Sequence, residues 1–496
     1  MPAPGPAPRR LLASGAVALV AAVLGTLLLV HADAGLSTER ATVAGVPLTE
    51  VRRPGTGDDR RPGVVIAHGF AGSARLMRPL ADSVARHGAV AVLLDFAGHG
   101  ANPSRLPGAG RDDERARSLL SHDLDVALAW LRSRPGVDPD RIVLVGHSMG
   151  AGAVTRYAVA HPEIARTVAI SLPDAGDVPA GWPGRLTLVV GGLEFPDFRR
   201  AAEEAARGAP PGARERVVAP GTEHISVLFA PRTHDAVVAA FPGRPGGPAP
   251  APLTRPAAAA LLLLGLGLGF VPLAGLLLRH RPAAPEAPTG GAGWWWLAVA
   301  VAATGLGVAL AAPLPTARLP LAVGGHVAVF LLLTGVLLVV AHRWFRRDRP
   351  PAGATVGPSR AVVPAVVLLG YAALAVALPL HLGFTSAAPV GARWWLLPLV
   401  AFCCLVFLLG AELVAEGRGG RYAAVGGIAV VVLAGAAVTG LAPGFVLLVV
   451  PLFAALVAWQ AAWAGVLRRR GASRWLPAAV GAVLLAWPIA TTLPLA

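Results

Sequence analysis

Lysine, cysteine and acidic residues are scarce in this sequence of 496 residues. Lysine is absent, so all 43 basic residues are arginine, a compositional bias that carries no functional evidence. The two cysteines, Cys403 and Cys404, are neighbours within an apolar run. Adjacent cysteines cannot form an ordinary disulfide with each other and lack the spacing of metal ligands. We therefore interpret them as small buried residues.

Charged residues are also few, at 14% of the chain against 55% hydrophobic residues and a mean hydropathy of +0.61. Such a chain is too apolar for an ordinary soluble protein, and membrane spans account for the excess. The net charge of +15 does not indicate nucleic-acid binding, because it is unevenly spread. Between Ala32 and Arg255, 26 arginines face 24 acids, whereas elsewhere 17 arginines face four.

The N-terminal segment contains an apolar stretch, residues 11–30, that follows Arg9 and Arg10. About 20 residues in a helix span roughly 30 Å of hydrocarbon. The stretch is either a signal anchor or a signal peptide with a small-residue cleavage site at 32–34, and we favour the anchor. In both cases residues 35–255 are delivered outside the cytoplasm.

Eight further apolar stretches follow, at about 257–278, 294–314, 319–342, 361–382, 394–415, 422–441, 443–467 and 475–495. If they alternate across the membrane, all of the 17 flanking arginines except Arg318 and Arg393 lie on the cytoplasmic side, as the positive-inside rule requires. This predicts nine spans and an external C-terminus. The predicted domains are a signal anchor at 1–34, an extracytoplasmic domain at 35–241, a Pro/Gly-rich linker at 242–256 and an eight-span transmembrane domain at 257–496.

The extracytoplasmic segment alternates strand-like and helix-like patterns. Apolar strand-like runs lie at 63–67, 89–94, 141–146, 167–172, 186–190 and 215–219, with helix-like stretches at 73–87, 115–133, 149–160 and 197–207. This alternation predicts an α/β domain with a mostly parallel sheet and flanking helices. The whole chain is then an α/β domain joined to an all-α multi-pass transmembrane domain.

The most specific motif is the pentapeptide 146–150, Gly-His-Ser-Met-Gly, which directly follows a strand-like run. A serine so placed sits on a sharp strand-to-helix turn, and the glycines are needed because the backbone is crowded there. Ser148 is therefore a candidate nucleophile. A serine hydroxyl reacts only when a neutral imidazole accepts its proton and a carboxylate orients that imidazole.

Motifs around this one resemble the α/β-hydrolase superfamily, over about residues 41–241. They are His-Gly-Phe-Ala-Gly at 68–72, Asp-Phe-Ala-Gly-His-Gly at 95–100, the serine turn, Gly-Gly-Leu-Glu at 191–194 and Gly-Thr-Glu-His at 221–224. The pattern is similar to lidless members such as dienelactone hydrolases and serine esterases. The resemblance implies a triad of Ser148, His224 and Glu194, with Asp197 as an alternative acid and Asp174 a more distant one.

The resemblance also implies an oxyanion hole formed by the backbone amides of Phe70 and Met149. Candidates for substrate contact are His68, Gly69, His147 and Trp182. For the two histidines, a role as hydrogen-bonded loop residues is the simpler interpretation. His161 and His234 have the pattern of surface residues.

We therefore expect a membrane-embedded serine hydrolase that cleaves ester, thioester or amide bonds of a small-molecule or lipid-like acyl substrate through an acyl-enzyme. One alternative is an acyltransferase acting on envelope lipid or glycan. Another is a transporter or scaffold that carries a hydrolase-like binding domain. The spans hold few ionisable residues, which argues against a proton- or ion-coupled carrier. One of these residues, Glu412, is interpreted as pairing with Arg418 or Arg421. No metal-binding or dinucleotide motif is present, so no cofactor is implied. Membrane lipids are the expected partners.

Overall fold

The computed structural model describes residues 6–55, 60–110, 113–176, 178–210, 213–241, 249–278, 293–345 and 362–496. Residues 242–248 of the predicted linker lie outside these ranges, as do six arginines of the predicted cytoplasmic loops, Arg279, Arg281, Arg346, Arg347, Arg349 and Arg360. The chain forms two compact units. We call one the sheet unit (Gly25–Ala259, Leu380–Gly391 and Pro494–Ala496) and the other the helical unit (Met1–Leu24, Ala260–Pro379 and Ala392–Leu493).

The sheet unit contains one eight-stranded sheet in the order β1-β2-β4-β3-β5-β6-β7-β8. Its strands are β1 (Ser37–Val43), β2 (Val46–Arg52), β3 (Arg61–Ala67), β4 (Val90–Leu94), β5 (Val137–His147), β6 (Arg166–Ile170), β7 (Leu186–Gly191) and β8 (Arg214–Ala219). From β4 to β8 every neighbouring pair is parallel. The predicted fold class is confirmed.

The hairpin formed by β1 and β2 was not predicted from the sequence. It pairs antiparallel and joins the sheet through β2 and β4. Its turn consists of Ala44 and Gly45, both with positive φ, at 47° and 84°. Two positive φ angles match the twist of a hairpin, but alanine is an unusual residue in that position. The sequence pattern therefore gave no turn signal.

Helices cover both faces of this sheet. They are α2 (Arg78–Arg86), α3 (Glu114–Arg132), α4 (Met149–Ala160), α5 (Pro196–Arg207) and α6 (Pro231–Ala239). Successive strand residues point to opposite faces, so Val64 and Ile66 pack with the α2 and α6 side while Val65 packs with the α3 and α4 side. Because both faces are buried, the central strands are continuously apolar.

The remaining helices are long and apolar: α1 (Pro6–Asp33), α7 (Thr254–Leu277), α8 (Trp295–Ala311), α9 (Gly324–Phe345), α10 (Val362–Gly383), α11 (Arg393–Ala415), α12 (Gly419–Val438), α13 (Val446–Arg469) and α14 (Trp475–Thr492). Eight helices of the described chain are long and apolar enough to cross a membrane, and α8 is shorter, with 17 residues. These helices correspond to the nine predicted spans. The structure thus has the character of a multi-pass membrane protein.

Inside the helical unit, Glu412 of α11 forms an ion pair with Arg468 of α13. The partners expected from the sequence, Arg418 and Arg421, are not the ones that it uses. Helix packing decides this pairing, because it brings α13 beside α11. The two residues lie far apart in the chain, so no local sequence pattern reveals the contact. A buried carboxylate paired with an arginine acts as a structural contact between helices.

Candidate active site

Ser148 lies between the end of β5 and the start of α4, on a turn that forces its backbone to φ 52° and ψ −118°. Glycine occupies the positions two residues before and two residues after the serine, because neither position has room for a side chain. A Cβ on Gly146 would lie 2.3 Å from the carbonyl oxygen of Gly150, and one on Gly150 would lie 2.5 Å from that of His68. A positive φ at a non-glycine residue stores strain of about 1–3 kcal/mol. The surrounding packing therefore holds the serine in this conformation.

The imidazole of His224 lies between Ser148 and a carboxylate. Its Nε2 is 3.1 Å from the Ser148 Oγ, and its Nδ1 is 2.9 Å from the Glu194 Oε1. An ionised carboxylate only accepts hydrogen bonds, so Nδ1 carries the proton and donates it to Glu194. Nε2 is then the acceptor that faces the serine hydroxyl. Both the His224 and the Glu194 side chains are buried.

Glu194 is held in place by Ser171, whose Oγ donates to the Glu194 Oε2 at 2.6 Å. Ser171 directly follows β6 and is fully buried, and it was not predicted from the sequence as a site residue. A polar residue immediately after an apolar strand is a common position for site residues in parallel sheets. The position of Ser171 directly after an apolar strand was the sequence feature that could have identified it as a site residue. The two oxygens of Glu194 thus have different partners, which fix the plane of the carboxylate.

The alternative acid, Asp197, does not meet the imidazole in this structure. It lies in the first turn of α5, pairs with Arg200, and its side chain is 76% exposed. Asp174 is likewise occupied elsewhere, since its Oδ1 accepts from the amide of Gly176 at 2.9 Å. Of the carboxylates weighed from the sequence, the structure brings only Glu194 to His224.

The loop after β3 lies against the serine turn. A Cβ on Gly69 would be 3.0 Å from the Ser148 Cβ and 2.8 Å from the His147 Nδ1, so only glycine allows this approach. The two amides expected to form an oxyanion hole belong to this loop and to α4. Met149 is the first residue of α4, and the first amides of a helix have no carbonyl partner within it.

His68 and His147 act as hydrogen-bonding residues of the loops. The Nδ1 of His68 bonds to the Gly69 carbonyl at 2.8 Å, and its Nε2 accepts from the Phe96 amide at 3.1 Å. His147 donates from Nε2 to the backbone carbonyl of His224 at 2.9 Å. Burial lowers the pKa of both residues, and for His147 the pKa lies well below 6.5. Both imidazoles are therefore neutral at neutral pH and already bonded to backbone groups.

Trp182, by contrast, is not brought to the serine. Its indole Nε1 donates to the carbonyl of Val159 at 3.1 Å. Val159 is ten residues after Met149 in α4, and a helix rises about 1.5 Å per residue, so this contact is roughly 15 Å along α4 from the serine turn. His234, expected at the surface, is fully buried and bonded to the Ser83 hydroxyl at 2.8 Å.

Aromatic and apolar side chains lie next to the imidazole instead. The ring of Phe198 packs on that of His224 with centroids 4.5 Å apart. Leu193 and Phe195 flank Glu194 in the chain and are 69% and 40% exposed. These residues form an apolar, solvent-accessible rim beside the buried His–Glu pair.

A mostly parallel sheet with helices on both faces, a serine on a glycine-flanked turn after β5, and a histidine after the last strand define an α/β-hydrolase domain. Residues 58–198 match the sequence profile of the family described as "Serine aminopeptidase, S33". The chain thus carries an α/β-hydrolase domain together with apolar helices that could span a membrane.

Curated relatives extend this comparison. An uncharacterised protein of Mycobacterium tuberculosis is 33% identical over 152 residues, which cover 30% of this chain and 50% of that protein. A thermostable monoacylglycerol lipase of a Bacillus species is 33% identical over 141 residues, covering 27% and 48%. The chain spans about half the length of the curated relatives it matches. Among solved structures, a putative dienelactone hydrolase of Klebsiella pneumoniae aligns with a TM-score of 0.32 at 18% identity, over 41% of this chain and 94% of that one.

Proposed function

We propose that the protein is a membrane-embedded serine hydrolase that cleaves esters or thioesters through an acyl-enzyme. The observation that carries the proposal is the continuous hydrogen-bonded series from the Ser148 Oγ through His224 to Glu194, with distances of 3.1 and 2.9 Å. This series provides a nucleophile, a base and an orienting carboxylate in the order that acyl transfer requires.

In the proposed reaction, the Ser148 oxygen attacks the carbonyl carbon of the substrate while the His224 Nε2 accepts the hydroxyl proton. The resulting imidazolium is stabilised by Glu194, which stays ionised. His224 then returns the proton to the leaving alcohol or thiol, and the acyl group remains on Ser148. A water molecule activated by the same imidazole releases the acid and restores the enzyme.

The oxyanion that forms during attack needs hydrogen-bond donors. The backbone amides of Phe70 and Met149 are the proposed donors, because the Gly69 loop packs on the serine turn and Met149 opens α4. The partial positive charge at a helix N-terminus adds to this stabilisation. Loss of one such donor typically lowers the rate by about 10²–10³-fold.

For the substrate we propose an ester with an apolar acyl chain. Leu193 and Phe195 offer exposed apolar surface beside Glu194. A monoacylglycerol lipase and a cutinase are among the curated relatives, and these names concern ester substrates. His68, Gly69 and His147 then shape the floor of the site, and Trp182 has no part in it.

We further propose that the hydrolase domain lies outside the cytoplasm, as the distribution of arginine implies. The alternating topology predicts that the ectodomain, the loop after α10 and the C-terminal residues share one side of the membrane. Residues 380–391 and 494–496 belong to the sheet unit, which agrees with that topology. For example, the backbone of Leu495 bonds to Gly98 and Leu106 at 2.9 and 3.0 Å.

The decisive experiment compares Ser148→Ala with Ser104→Ala, a serine exposed on a loop of the same domain. Purified full-length protein is assayed against p-nitrophenyl esters of increasing acyl length and is labelled with a fluorophosphonate. We expect Ser148→Ala to lose hydrolysis and labelling while Ser104→Ala keeps both. Full hydrolysis by Ser148→Ala, or no labelling of the wild type, would exclude this mechanism.

A further inference from the structure

A cavity of about 750 Å³ lies within the sheet unit, and its lining includes none of the three residues Ser148, Glu194 and His224. The volume falls in the range of small-molecule sites, about 300–1,000 Å³. Its walls come from the last turns of α1, the β1–β2 hairpin, residues 74–78 and residues 381–390. The cavity is thus separate from the proposed catalytic centre.

Charged side chains of both signs line the cavity, with arginine in excess. The lining contains Arg40, Arg75, Arg78, Arg255, Asp33 and Asp95. Two of the arginines are neutralised locally. Arg78 bonds to Asp82 at 2.7 Å, and Arg255 bonds to Asp33 at 2.7 Å. These four residues form a compact ion-pair network, of which Asp33, Arg78 and Arg255 line the cavity.

Asp95 is also satisfied, because its two carboxylate oxygens accept from the amides of Ala74 and Ala101 at 2.7 and 2.9 Å. Arg40 and Arg75 differ from the other charged groups. In the described ranges, no carboxylate lies within ion-pair distance of either guanidinium, and the Arg75 Nη1 donates to the carbonyl of His381 at 2.9 Å. The cavity therefore contains two arginines for which no described carboxylate lies within ion-pair distance.

The electrostatic effect of this arrangement is visible at Arg75. Burial, followed by the nearby charge of Arg40, lowers the pKa of Arg75 to about 10, and the carboxylate of Asp95 offsets only part of this effect. Arg75 stays charged at neutral pH, although its cationic form is disfavoured by its surroundings. An anion placed between the two guanidinium groups would relieve this repulsion. Guanidinium groups bind phosphate oxygens through charge-assisted hydrogen bonds.

Part of the lining is apolar and is supplied by helix ends. Leu29 and Val30 belong to the last turns of α1, and Leu382 to the last turn of α10. The apolar part of α1, Leu11–Asp33, has 23 residues, enough to cross about 30 Å of hydrocarbon and to end near the headgroup layer. A ligand with an anionic head and apolar chains would match both the charged and the apolar residues of the lining.

We propose that this cavity binds the phosphate of an anionic phospholipid, with Arg40 and Arg75 as phosphate ligands and Leu29 and Leu382 in contact with the acyl chain. The ligand is a bound lipid and not the substrate of the triad. The proposal therefore stands or fails independently of the hydrolase reaction.

Equilibrium binding of a fluorescent phosphatidylglycerol to the full-length protein in detergent tests this site. The protein carries Ser148→Ala, so the probe cannot be consumed. Unlabelled phosphatidylglycerol, diacylglycerol and inorganic phosphate serve as competitors. We expect phosphatidylglycerol to compete and diacylglycerol not to. Arg40→Gln and Arg75→Gln should each weaken binding by roughly tenfold or more, the effect expected from losing a hydrogen bond to a charged group.

Arg199→Gln is the matched control, since it removes the same charge from an exposed position on α5. It should bind the probe as the parent protein does. Because Arg40 is exposed, Arg40→Gln keeps the test interpretable if Arg75→Gln fails to fold, as judged by gel filtration. Equal probe binding by both cavity variants, or competition by diacylglycerol, would overturn the proposal. If inorganic phosphate displaced the probe while unlabelled phosphatidylglycerol did not, and Arg40→Gln abolished this displacement, the cavity would be a site for free phosphate. That result would overturn the lipid assignment.

Discussion

Gly150 offers a sharp test of the serine turn, because an added methyl group has nowhere to go. In Gly150→Ala the Cβ would lie 2.5 Å from the backbone oxygen of His68 and 2.6 Å from that of Ala67, whereas ordinary contact begins at 3.4 Å. Both neighbours are backbone atoms that cannot rotate away. Either α4 or the end of β3 must therefore shift by nearly 1 Å.

Such a shift separates the two halves of the proposed site, because Ser148 directly precedes α4 and the Gly69 loop directly follows β3. A displacement of about 1 Å at reacting groups can reduce the rate about 10²-fold. Overpacking of this kind costs about 1–3 kcal/mol, and each kcal/mol lowers Tm by about 2–4 °C in a domain of this size. We expect kcat/KM for p-nitrophenyl esters to fall about 10²-fold and Tm to fall by several degrees.

Gly152→Ala is the matched control on the same helix. There the nearest atom to the added Cβ is the Arg156 Nη1 at 3.2 Å, the mobile end of a long side chain. Replacing glycine by alanine in a helix interior is favourable by up to about 1 kcal/mol. This variant should keep full activity and an equal or higher Tm. Normal activity in Gly150→Ala, or an equal loss in Gly152→Ala, would refute the packing argument.

Three further predictions concern side chains of the same domain. Glu194→Gln should lower kcat by about 10²–10⁴-fold, because an amide cannot stabilise the imidazolium. The control Asp197→Asn should have the kcat of the wild type. If steady-state kinetics showed the reverse pattern, Asp197 and not Glu194 would be the acid. Ser171→Ala should lower kcat roughly tenfold with KM unchanged, because a hydrogen bond to a charged group contributes about 1.5–3 kcal/mol. An unchanged kcat would show that Ser171 does not position Glu194. Burial raises the pKa of Asp123 to about 6, above its unfolded value, so the folded state loses up to about 3 kcal/mol as pH rises from about 4 to 6. Asp123→Asn keeps an acceptor for the Ala97 amide, and its Tm relative to wild type should rise across that pH interval; a pH-independent difference would contradict the assignment.

Local patterns in the sequence carried much of the domain architecture. The apolar runs that predicted six strands fall on β3 to β8. Most of these strands are buried on both faces and are therefore continuously apolar, whereas the edge strand β8 is only partly buried. The predicted helix at 149–160 coincides with α4, which the serine turn starts abruptly. The hairpin β1–β2 was missed because its exposed first strand alternates weakly and its turn begins with alanine.

The sequence by itself determined the class of the fold, the number of long apolar segments, and the serine on its glycine-flanked turn, because each depends on residues close together in the chain. Only the tertiary structure decided that Glu194 and not Asp197 faces His224, that Ser171 holds that carboxylate, and that Trp182 lies far along α4 from the serine. It also decided that Arg40 and Arg75, which have no ion-pair partner among the described carboxylates, share a cavity with helix ends. These facts depend on side chains separated by tens or hundreds of residues, and only the packing of the sheet and its helices brings such side chains within bonding distance.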